Sequence, residues 1–269
     1  MSRDFDGSTG ALRSTASPVF LEPFIISLWF KVDTLPTFPA VSYLWLRQNS
    51  FNFSNWRGIN IDSSGRAGYV KRTATTSKTA RVTTGYLYGA WNHVVVWDTG
   101  GINASDMVIY QNGGNKNTQS GVNPLVGGGV HSVLGARETA STPTFTEFFD
   151  GQIAEVGEWD NGDFGIAADT ECDVFALALY QSRLKPNWYR PNICRYIPLL
   201  RDEDAALSMP ESTGAQPTLF TAFGTIGIGE HPPLSELRGF GTHRRRGGDI
   251  ERHYPRGVLR GVGRGVYSG

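Results

Sequence analysis

The sequence predicts an all-β protein, an antiparallel sandwich of the jelly-roll type. Short strands recur at intervals of about 10–15 residues with turn residues between them, a spacing typical of sandwiches and jelly rolls. The 33 glycines in 269 residues also favour a fold with many turns. Phe-Asp-Gly turns at 5–7 and 149–151 predict a first and a last strand that lie side by side in one sheet.

The clearest predicted strand covers residues 24–32. One face is uniformly apolar and the opposite face is mixed, as a half-buried antiparallel strand requires. The apolar positions are Phe24, Ile26, Leu28, Phe30 and Val32.

A second strong strand is predicted at residues 91–97. It is apolar on both faces, which indicates a central position in a sheet. His93 lies between Trp91 and Val95, so we interpret it as a core or half-buried residue. The following strand, 107–111, ends at Asn112-Gly113, a dipeptide typical of hairpins.

Further short strands are predicted at 41–46, 59–61, 67–72, 130–134 and 153–159. The Thr- and Ser-rich residues 73–84 fit either a polar strand pair or a loop. One helix is predicted at residues 170–181, capped by Thr170. Its apolar stripe is predicted to contain Val174, Leu177, Ala178 and Gln181, flanked by Phe175 and Leu179, and the helix is expected to pack on the sandwich.

Charge is unevenly spread along the chain, although the net charge is zero. Residues 1–229 hold 17 Lys+Arg and 21 Asp+Glu, while residues 230–269 hold eight Arg and four acidic residues. The two cysteines, Cys172 and Cys194, are too few for a disulfide framework and predict free thiols of a reducing compartment. No secretion signal or membrane span is apparent, so we expect folding in a cytosol.

These patterns predict three regions. Residues 1–182 form the jelly-roll domain, and residues 183–229 form an extended segment packed on it. Residues 230–269 form an Arg- and Gly-rich arm, which lacks the apolar content to fold alone and is either disordered or ordered by a partner.

Five motifs occur in the order of a known family: an opening Phe-Asp-Gly at Phe5, a strand with a central Trp at Trp29, Trp-x-His at 91–93, Tyr-x-Asn-Gly at 110–113, and a closing Phe-x-Gly-x-Ile strand at 149–159 that ends in Trp. In this respect residues 4–182 resemble the laminin-G-like, concanavalin-A-like jelly rolls. The segment RPNICRYIPLL at 190–200 resembles the stretch after the helix in versions of this domain found in bacteriophage structural proteins. The resemblance therefore implies a virion protein.

No catalytic residue is predicted. Some enzymes of this fold cleave glycans with two carboxylates on one strand face, but Glu155 and Glu158 are three residues apart and should point to opposite faces. The only cofactor left open is calcium, which members of this fold often bind. Asp160 and Asp163 are its principal predicted ligands, Asp98 and Asp106 supply further oxygen ligands in loops, and turn chemistry is the alternative role for such residues.

Two kinds of binding residue are predicted. Trp45, Trp56 and Tyr69 lie near loops, where exposed rings could stack on a sugar. The arm is predicted to bind neighbouring subunits or other virion proteins through its arginines, whereas nucleic acid is disfavoured because few aromatic residues accompany them. These arginines are Arg244, Arg245, Arg246, Arg256, Arg260 and Arg264.

The sequence therefore leads to one principal functional hypothesis, a non-enzymatic bacteriophage virion protein that decorates or cements the capsid through its basic arm. Its expected location is the virion, after assembly in the host cytoplasm, and its expected partners are other virion proteins and further copies of itself. The alternative is a glycan-binding adhesin on a phage tail or fibre. No membrane partner is expected.

Overall fold

A computed structural model describes residues 2–14, 23–37, 40–49, 52–73, 76–86, 88–99, 107–120, 131–140, 143–159, 166, 169–182, 195–197, 220–232 and 234. One compact unit covers residues 1–236. Residues 237–269, which include the six arginines predicted to bind partners, lie outside the described part. The division of the chain at residues 182 and 229 stays a prediction.

The described residues form seventeen strands and one helix. The strands are β1 Ser2–Asp6, β2 Ala11–Ser14, β3 Phe24–Val32, β4 Val41–Asn49, β5 Asn52–Asp62, β6 Ala67–Arg72, β7 Ser77–Arg81, β8 Asn92–Asp98, β9 Met107–Gln111, β10 Asn115–Gln119, β11 His131–Leu134, β12 Arg137–Ala140, β13 Thr144–Thr146, β14 Asp150–Trp159, β15 Arg195–Ile197, β16 Phe220–Phe223 and β17 Ile226–Gly229. The helix is α1 Asp169–Ser182. None of the described helical structure is long and apolar enough to cross a lipid bilayer.

Two antiparallel sheets make up the sandwich. The first sheet has the order β10-β9-β8-β3-β14-β1-β17, with β15 also paired to β14. The second sheet has the order β16-β2-β11-β4-β5-β6-β7, and β12 and β13 form a separate hairpin. The all-β sandwich predicted from the sequence is confirmed.

The two strands at the Phe-Asp-Gly turns lie side by side in one sheet, as predicted, although further strands follow β14. Strand β1 pairs with β14, and Asp6 lies opposite Asp150. The Asp6 carboxylate accepts backbone N–H groups from residues 8–10, which fixes the first turn. These hydrogen bonds, together with one from the Thr9 hydroxyl, lower the pKa of Asp6 although burial acts in the opposite direction.

The main core lies between the sheets and contains the predicted apolar face of β3. Phe24, Ile26, Leu28, Phe30 and Val32 are all buried in it. Burial of each such side chain contributes roughly 1.5–3 kcal/mol. The prediction that the strand of His93 is central is also confirmed, since β8 lies between β3 and β9.

Helix α1 packs on the outer face of the first sheet, but with a different stripe from the predicted one. Its buried residues are Cys172, Phe175, Ala176 and Leu179. Val174 and Leu177, which were predicted to be buried, are 48% and 41% exposed. The helix has two apolar stripes, and the one carrying Phe175 is buried because its ring packs edge-on against Trp159 at 5.5 Å.

The region after α1 adds strands to both sheets. β16 pairs with β2 at the edge of the second sheet, and β17 pairs with β1 at the edge of the first. The turn between them has Gly224 at φ 67°. A Cβ there would lie 2.1 Å from the Thr9 carbonyl oxygen, so this close approach requires glycine. Residues 220–229 are therefore tied to both layers of the sandwich.

Candidate functional site

The outer face of the second sheet is the strongest candidate for a binding surface, because α1 packs on the first sheet. The β12–β13 hairpin lies against this face. Ion pairs, hydrogen bonds and aromatic rings meet at its centre. The group that we call the Trp56 site consists of Tyr43, Trp56, Asn60, Arg81, Arg137 and Glu147.

Trp56 is the only one of the three predicted sugar-binding rings that faces this surface, and it too is covered. Trp45, Trp56 and Tyr69 are 1%, 5% and 0% exposed, so the expectation of exposed stacking rings is wrong in this structure. Alternation from Tyr43 would place Trp45 on the outer face. A register shift between Tyr43 and Trp45 instead turns the indole of Trp45 into the core.

Tyr69 has a structural role at one end of the core. Its hydroxyl donates to Asp98 Oδ2 at 2.6 Å, and Lys71 Nζ lies 3.2 Å from Asp98 Oδ1. Arg57 lies 4.0 Å from the same carboxylate and 4.3 Å from the Phe24 ring centroid. This buried ionic cluster links the second sheet to the end of β8.

The indole of Trp56 is covered by an ion pair from the hairpin. The Arg137 guanidinium lies 5.2 Å above its ring centroid, and Arg137 Nη1 donates to Glu147 Oε2 at 3.1 Å. The side chains of Arg137 and Glu147 are 26% and 30% exposed. Trp56 Nε1 is buried and makes no hydrogen bond within the described part of the chain. A ring, a cation, a carboxylate and a buried donor are thus concentrated at one place.

The hairpin is held in position by a second set of contacts beside Trp56. Glu138 Oε2 accepts a hydrogen bond from Gln48 Nε2 at 2.8 Å, and its Oε1 lies 2.8 Å from Arg13 Nε. Gln48 is the cross-strand neighbour of Trp56. These contacts connect β12 to β2 and β4, so the position of Arg137 depends on two segments that are distant from it in sequence.

Tyr43 and Arg81 form the other half of the Trp56 site. The Tyr43 ring meets Trp56 edge-on at 5.6 Å, and Arg81 Nη2 donates to Asn60 Oδ1 at 2.8 Å. A Cβ on Gly68 would lie 2.7 Å from Arg81 Cζ, so the missing side chain makes room for the guanidinium. Burial raises the pKa of Tyr43 to about 12, so its hydroxyl stays protonated at neutral pH and can donate.

Asp62 anchors the arginines at the end of β5. Arg66 donates to Asp62 Oδ2 from Nε at 3.0 Å and from Nη2 at 2.8 Å, so both charge-assisted hydrogen bonds end on one oxygen. Burial acts to raise the pKa of Asp62, but the hydrogen bonds from Arg66 and the nearby Arg81 lower it overall. Asp62 therefore carries a negative charge beside two guanidinium groups at neutral pH.

The two carboxyl groups of β14 do not converge on a cleft. Glu158 points into the core, where its Oε1 accepts a hydrogen bond from Trp45 Nε1 at 2.8 Å. Glu155 lies in an irregularity of the β14–β3 pairing, with φ 53°, and its Oε1 is 2.9 Å from His231 Nε2. Both residues are buried, so neither is placed for acid–base attack on a bound sugar.

Ser27 and His93 lie as close together as the residues of a catalytic dyad, but they are not accessible to a substrate. Ser27 Oγ lies 2.8 Å from His93 Nε2, but both residues are buried beneath Trp29 and Tyr180. Burial lowers the pKa of His93 to about 3, so the ring is neutral at physiological pH. The prediction that His93 belongs to the core is confirmed.

The predicted calcium ligands Asp160 and Asp163 lie outside the described residues. Within the described ranges, no three His, Cys, Asp or Glu side chains come together in a way that could hold a metal ion. Calcium at these two residues stays a prediction, and so does partner binding by the six arginines of the arm.

Sequence reasoning missed the other five residues of the Trp56 site, namely Tyr43, Asn60, Arg81, Arg137 and Glu147. The pattern around Arg137 gave no signal for a hairpin that folds back on the second sheet. A weak signal existed for Arg81, since Gly68 interrupts a strand at the position where a large group approaches closely.

These features define an antiparallel two-sheet jelly roll with one helix on the first sheet and a polar, aromatic outer face on the second. Residues 6–161, more than half of the chain, match the family model of the concanavalin A-like lectin/glucanases superfamily. The chain belongs to this superfamily. No curated protein matches it.

Two solved structures illustrate the fold relationship. A protein from Bacteroides ovatus, provisionally named a carbohydrate binding protein, superposes with a TM-score of 0.55 at 16% identity, over 86% of this chain and 60% of its own. A heptameric SAP-like pentraxin from Limulus polyphemus superposes with a TM-score of 0.52 at 16% identity, over 66% of this chain and 81% of its own. At identities this low, the two superpositions show a common fold alone.

Proposed function

We propose that the protein is a non-enzymatic saccharide-binding module whose ligand lies on the Trp56 site. The observation that carries the proposal is the Arg137–Glu147 pair above the Trp56 indole. Paired guanidinium and carboxylate groups supply donors and acceptors for sugar hydroxyls, and an indole supplies an apolar face for sugar C–H groups. Arg137 has to move aside for the sugar to reach the ring.

Two further observations support this proposal. Superfamily membership and the Bacteroides ovatus protein agree with a carbohydrate ligand. The non-enzymatic part rests on β14, where Glu155 and Glu158 are both buried and have separate partners.

The test is a glycan array followed by calorimetric titration of the full chain, with and without calcium. Arg137→Ala should weaken binding of the best saccharide at least tenfold, and Trp56→Phe should weaken it because Nε1 is lost. Lys31→Ala removes a comparable surface pair with Glu230 on the first sheet and should leave binding unchanged. An array without any bound saccharide, or full binding by Arg137→Ala, would overturn the proposal.

A second candidate function is that of a virion structural protein that decorates a bacteriophage capsid, for which saccharide binding on a phage tail or fibre is the alternative setting. The observation that favours it is β15, which lies within the phage-like segment 190–200 and pairs with β14. Strand β15 thus adds to the sheet that contains β14.

Particles provide the test of this second function. Mass spectrometry of purified virions should find the protein in hundreds of copies if it decorates the head, and in a handful if it belongs to the tail. A variant that lacks residues 239–269 should fail to enter particles while keeping its fold. Virions without the protein, or full occupancy by the truncated variant, would contradict the capsid role.

A further inference from the structure

A groove lies between the β9–β10 hairpin and helix α1, on the side of the sandwich opposite the Trp56 site. Its volume is about 270 Å³, and its lining includes Tyr110, Gly114, Lys116, Asp173, Val174 and Leu177. The hairpin tip is fixed against the helix, because a Cβ on Gly113 would lie 3.0 Å from Tyr180 Cβ. By contrast, nothing lies within 4 Å of the Cβ position of Gly114, so the groove is open there.

The apolar part of the groove is the unburied stripe of α1. Val174 and Leu177 are two of the few large apolar side chains that are substantially exposed in the described structure, at 48% and 41%. They lie three residues apart and so share one side of the helix. Aliphatic surface of this kind fits aliphatic side chains of a partner. Sugar rings are disfavoured here, because the ring of Tyr110 is itself buried and Lys116 Nζ lies 5.5 Å from its centroid.

The polar part of the groove is the Asp173 carboxylate. Its Oδ1 accepts hydrogen bonds from both Tyr110 Oη and Lys116 Nζ, each at 2.7 Å. Oδ2 takes part in neither bond, and the side chain of Asp173 is 46% exposed. Glu171, close by on the helix, is also exposed. The groove therefore offers the second oxygen of a carboxylate that is ion-paired with Lys116, beside two exposed aliphatic side chains.

The C-terminal sequence has the complementary chemistry. In residues 256–267, RGVLRGVGRGVY, arginine and valine occupy alternate positions: Arg256, Val258, Arg260, Val262, Arg264 and Val266. Alternate residues of an extended chain point to the same side, roughly 6.5–7 Å apart. In an extended conformation, this segment presents one face made only of arginine and valine, while glycines dominate the other.

We propose that the groove binds residues 256–267 of a second copy of this chain in an extended conformation. Arginine pairs with Asp173, and the neighbouring valines contact Val174 and Leu177. The three Arg-Gly-Val repeats are equivalent, so one segment can bind the groove in several registers. Because every copy has both a groove and a segment, more than two copies can be linked.

The first test measures binding directly. The receptor is the full chain with R256Q, R260Q and R264Q, and the probe is a fluorescent synthetic peptide of residues 252–269. Anisotropy should report binding that falls at least tenfold in a receptor that also carries Leu177→Asp. Leu35→Asp makes the same change at another exposed leucine, 37% exposed, and should leave binding intact. Leu177→Ser, a milder change, should also weaken binding if the groove is the site. Equal binding by all four receptors, or no binding by the parent, would overturn the proposal.

The second test separates contact between copies from contact within one copy. Sedimentation of the unmodified chain should show concentration-dependent association, which both Leu177→Asp and the triple arginine variant abolish. A mixture of these two variants contains one intact segment and one intact groove, so it should form heterodimers that neither forms alone. An unmodified chain that stays monomeric at all concentrations, or a mixture that does not associate, would overturn docking between copies.

Discussion

Trp45 Nε1 donates a hydrogen bond of 2.8 Å to Glu158 Oε1 across the interior of the sandwich. The two residues belong to opposite sheets and are both almost completely buried. A residue predicted to bind sugar and a residue weighed as catalytic are thus partners in the same internal contact. Both side chains therefore have a structural role in the core. The outer face of the second sheet is the remaining candidate for a binding surface.

Trp45→Phe should destabilise the protein more than a tryptophan replacement that breaks no hydrogen bond. Loss of a donor to a buried acceptor costs about 1–3 kcal/mol. Trp159→Phe is the matched control, because Trp159 is equally buried and its Nε1 has no hydrogen-bond partner within the described residues. The difference between the two free energies of unfolding, measured by urea titration with far-UV circular dichroism, should approach this value. Equal losses would show that the hydrogen bond contributes little.

Three glycine-to-alanine variants should lose different amounts of stability. The loss depends on the backbone conformation of the glycine and on the space beside it. Gly135 has φ 81°, and a Cβ there would lie 2.2 Å from Phe5 Cδ1, so Gly135→Ala combines strain with a clash. We expect a loss of about 2–5 kcal/mol for it. Gly89 has φ 66° and open space, so strain alone should cost about 1–2 kcal/mol. Gly114→Ala meets neither obstacle and should be nearly neutral.

Thermal melts and urea titrations of the three variants would test this order. Comparable effects of Gly135→Ala and Gly89→Ala would mean that the Phe5 ring moves aside at little cost. A large loss for Gly114→Ala would contradict the open space beside that residue.

Hydrophobic alternation and turn residues in the sequence predicted the strands and turns that short stretches of chain determine. Alternation in residues 24–32 identified the core-facing side of β3, although its other side is largely buried as well, and the turns around Asp6 and Asp150 identified the pairing of β1 with β14. Helix α1 was placed correctly but its buried stripe was not. Periodicity alone offers two stripes, and the choice depends on the fit of Phe175 against Trp159.

The candidate site was harder to predict because tertiary contacts create it. A register shift after Tyr43 reverses the direction of Trp45, and alternation cannot reveal where such a shift occurs. Arg137 reaches Trp56 only because a distant hairpin folds over the sheet. Of the residues in the Trp56 site, the sequence predicted Trp56 alone.

Asp62→Asn should lower stability near neutral pH and lose its effect in acid. The pKa of Asp62 is lower in the folded state than in the unfolded chain, where it is about 3.9. Its contribution is therefore complete above that value and disappears as pH falls through the lower folded pKa. Charge-assisted hydrogen bonds of this kind contribute roughly 1–2 kcal/mol where they are partly exposed. Unfolding titrations of both proteins from pH 7 to pH 2.5 should show the two curves converging.

Asp33→Asn is a suitable control for this experiment, since Asp33 is exposed. Near pH 7 it should not reproduce the loss of about 1–2 kcal/mol expected for Asp62→Asn. A constant difference between Asp62→Asn and the unmodified protein down to pH 2.5 would show that the Arg66 pair does not depend on the charge of Asp62.

His93 should make the stability of the protein fall on acidification, beginning at a pH well above the window of Asp62. Burial lowers the pKa of His93 to about 3, whereas an unfolded histidine titrates near 6.5. Between these values the unfolded chain binds a proton that the folded protein excludes, so stability falls with decreasing pH. The slope is at most about 1.4 kcal/mol per pH unit, which gives roughly 2–3 kcal/mol between pH 6.5 and 4.5.

His93→Gln should flatten the pH dependence in this window, because glutamine does not titrate but can still bond to the Ser27 hydroxyl. Ser27→Ala keeps the buried imidazole and should keep the slope, even though it removes the 2.8 Å contact to Nε2. Imidazole NMR shifts provide a check that is independent of stability, since the His93 ring should remain neutral at pH 4.5. A His93 resonance that titrates near pH 6.5 in the folded protein would mean that protons reach the ring beneath Tyr180, and that its burial does not control stability in acid.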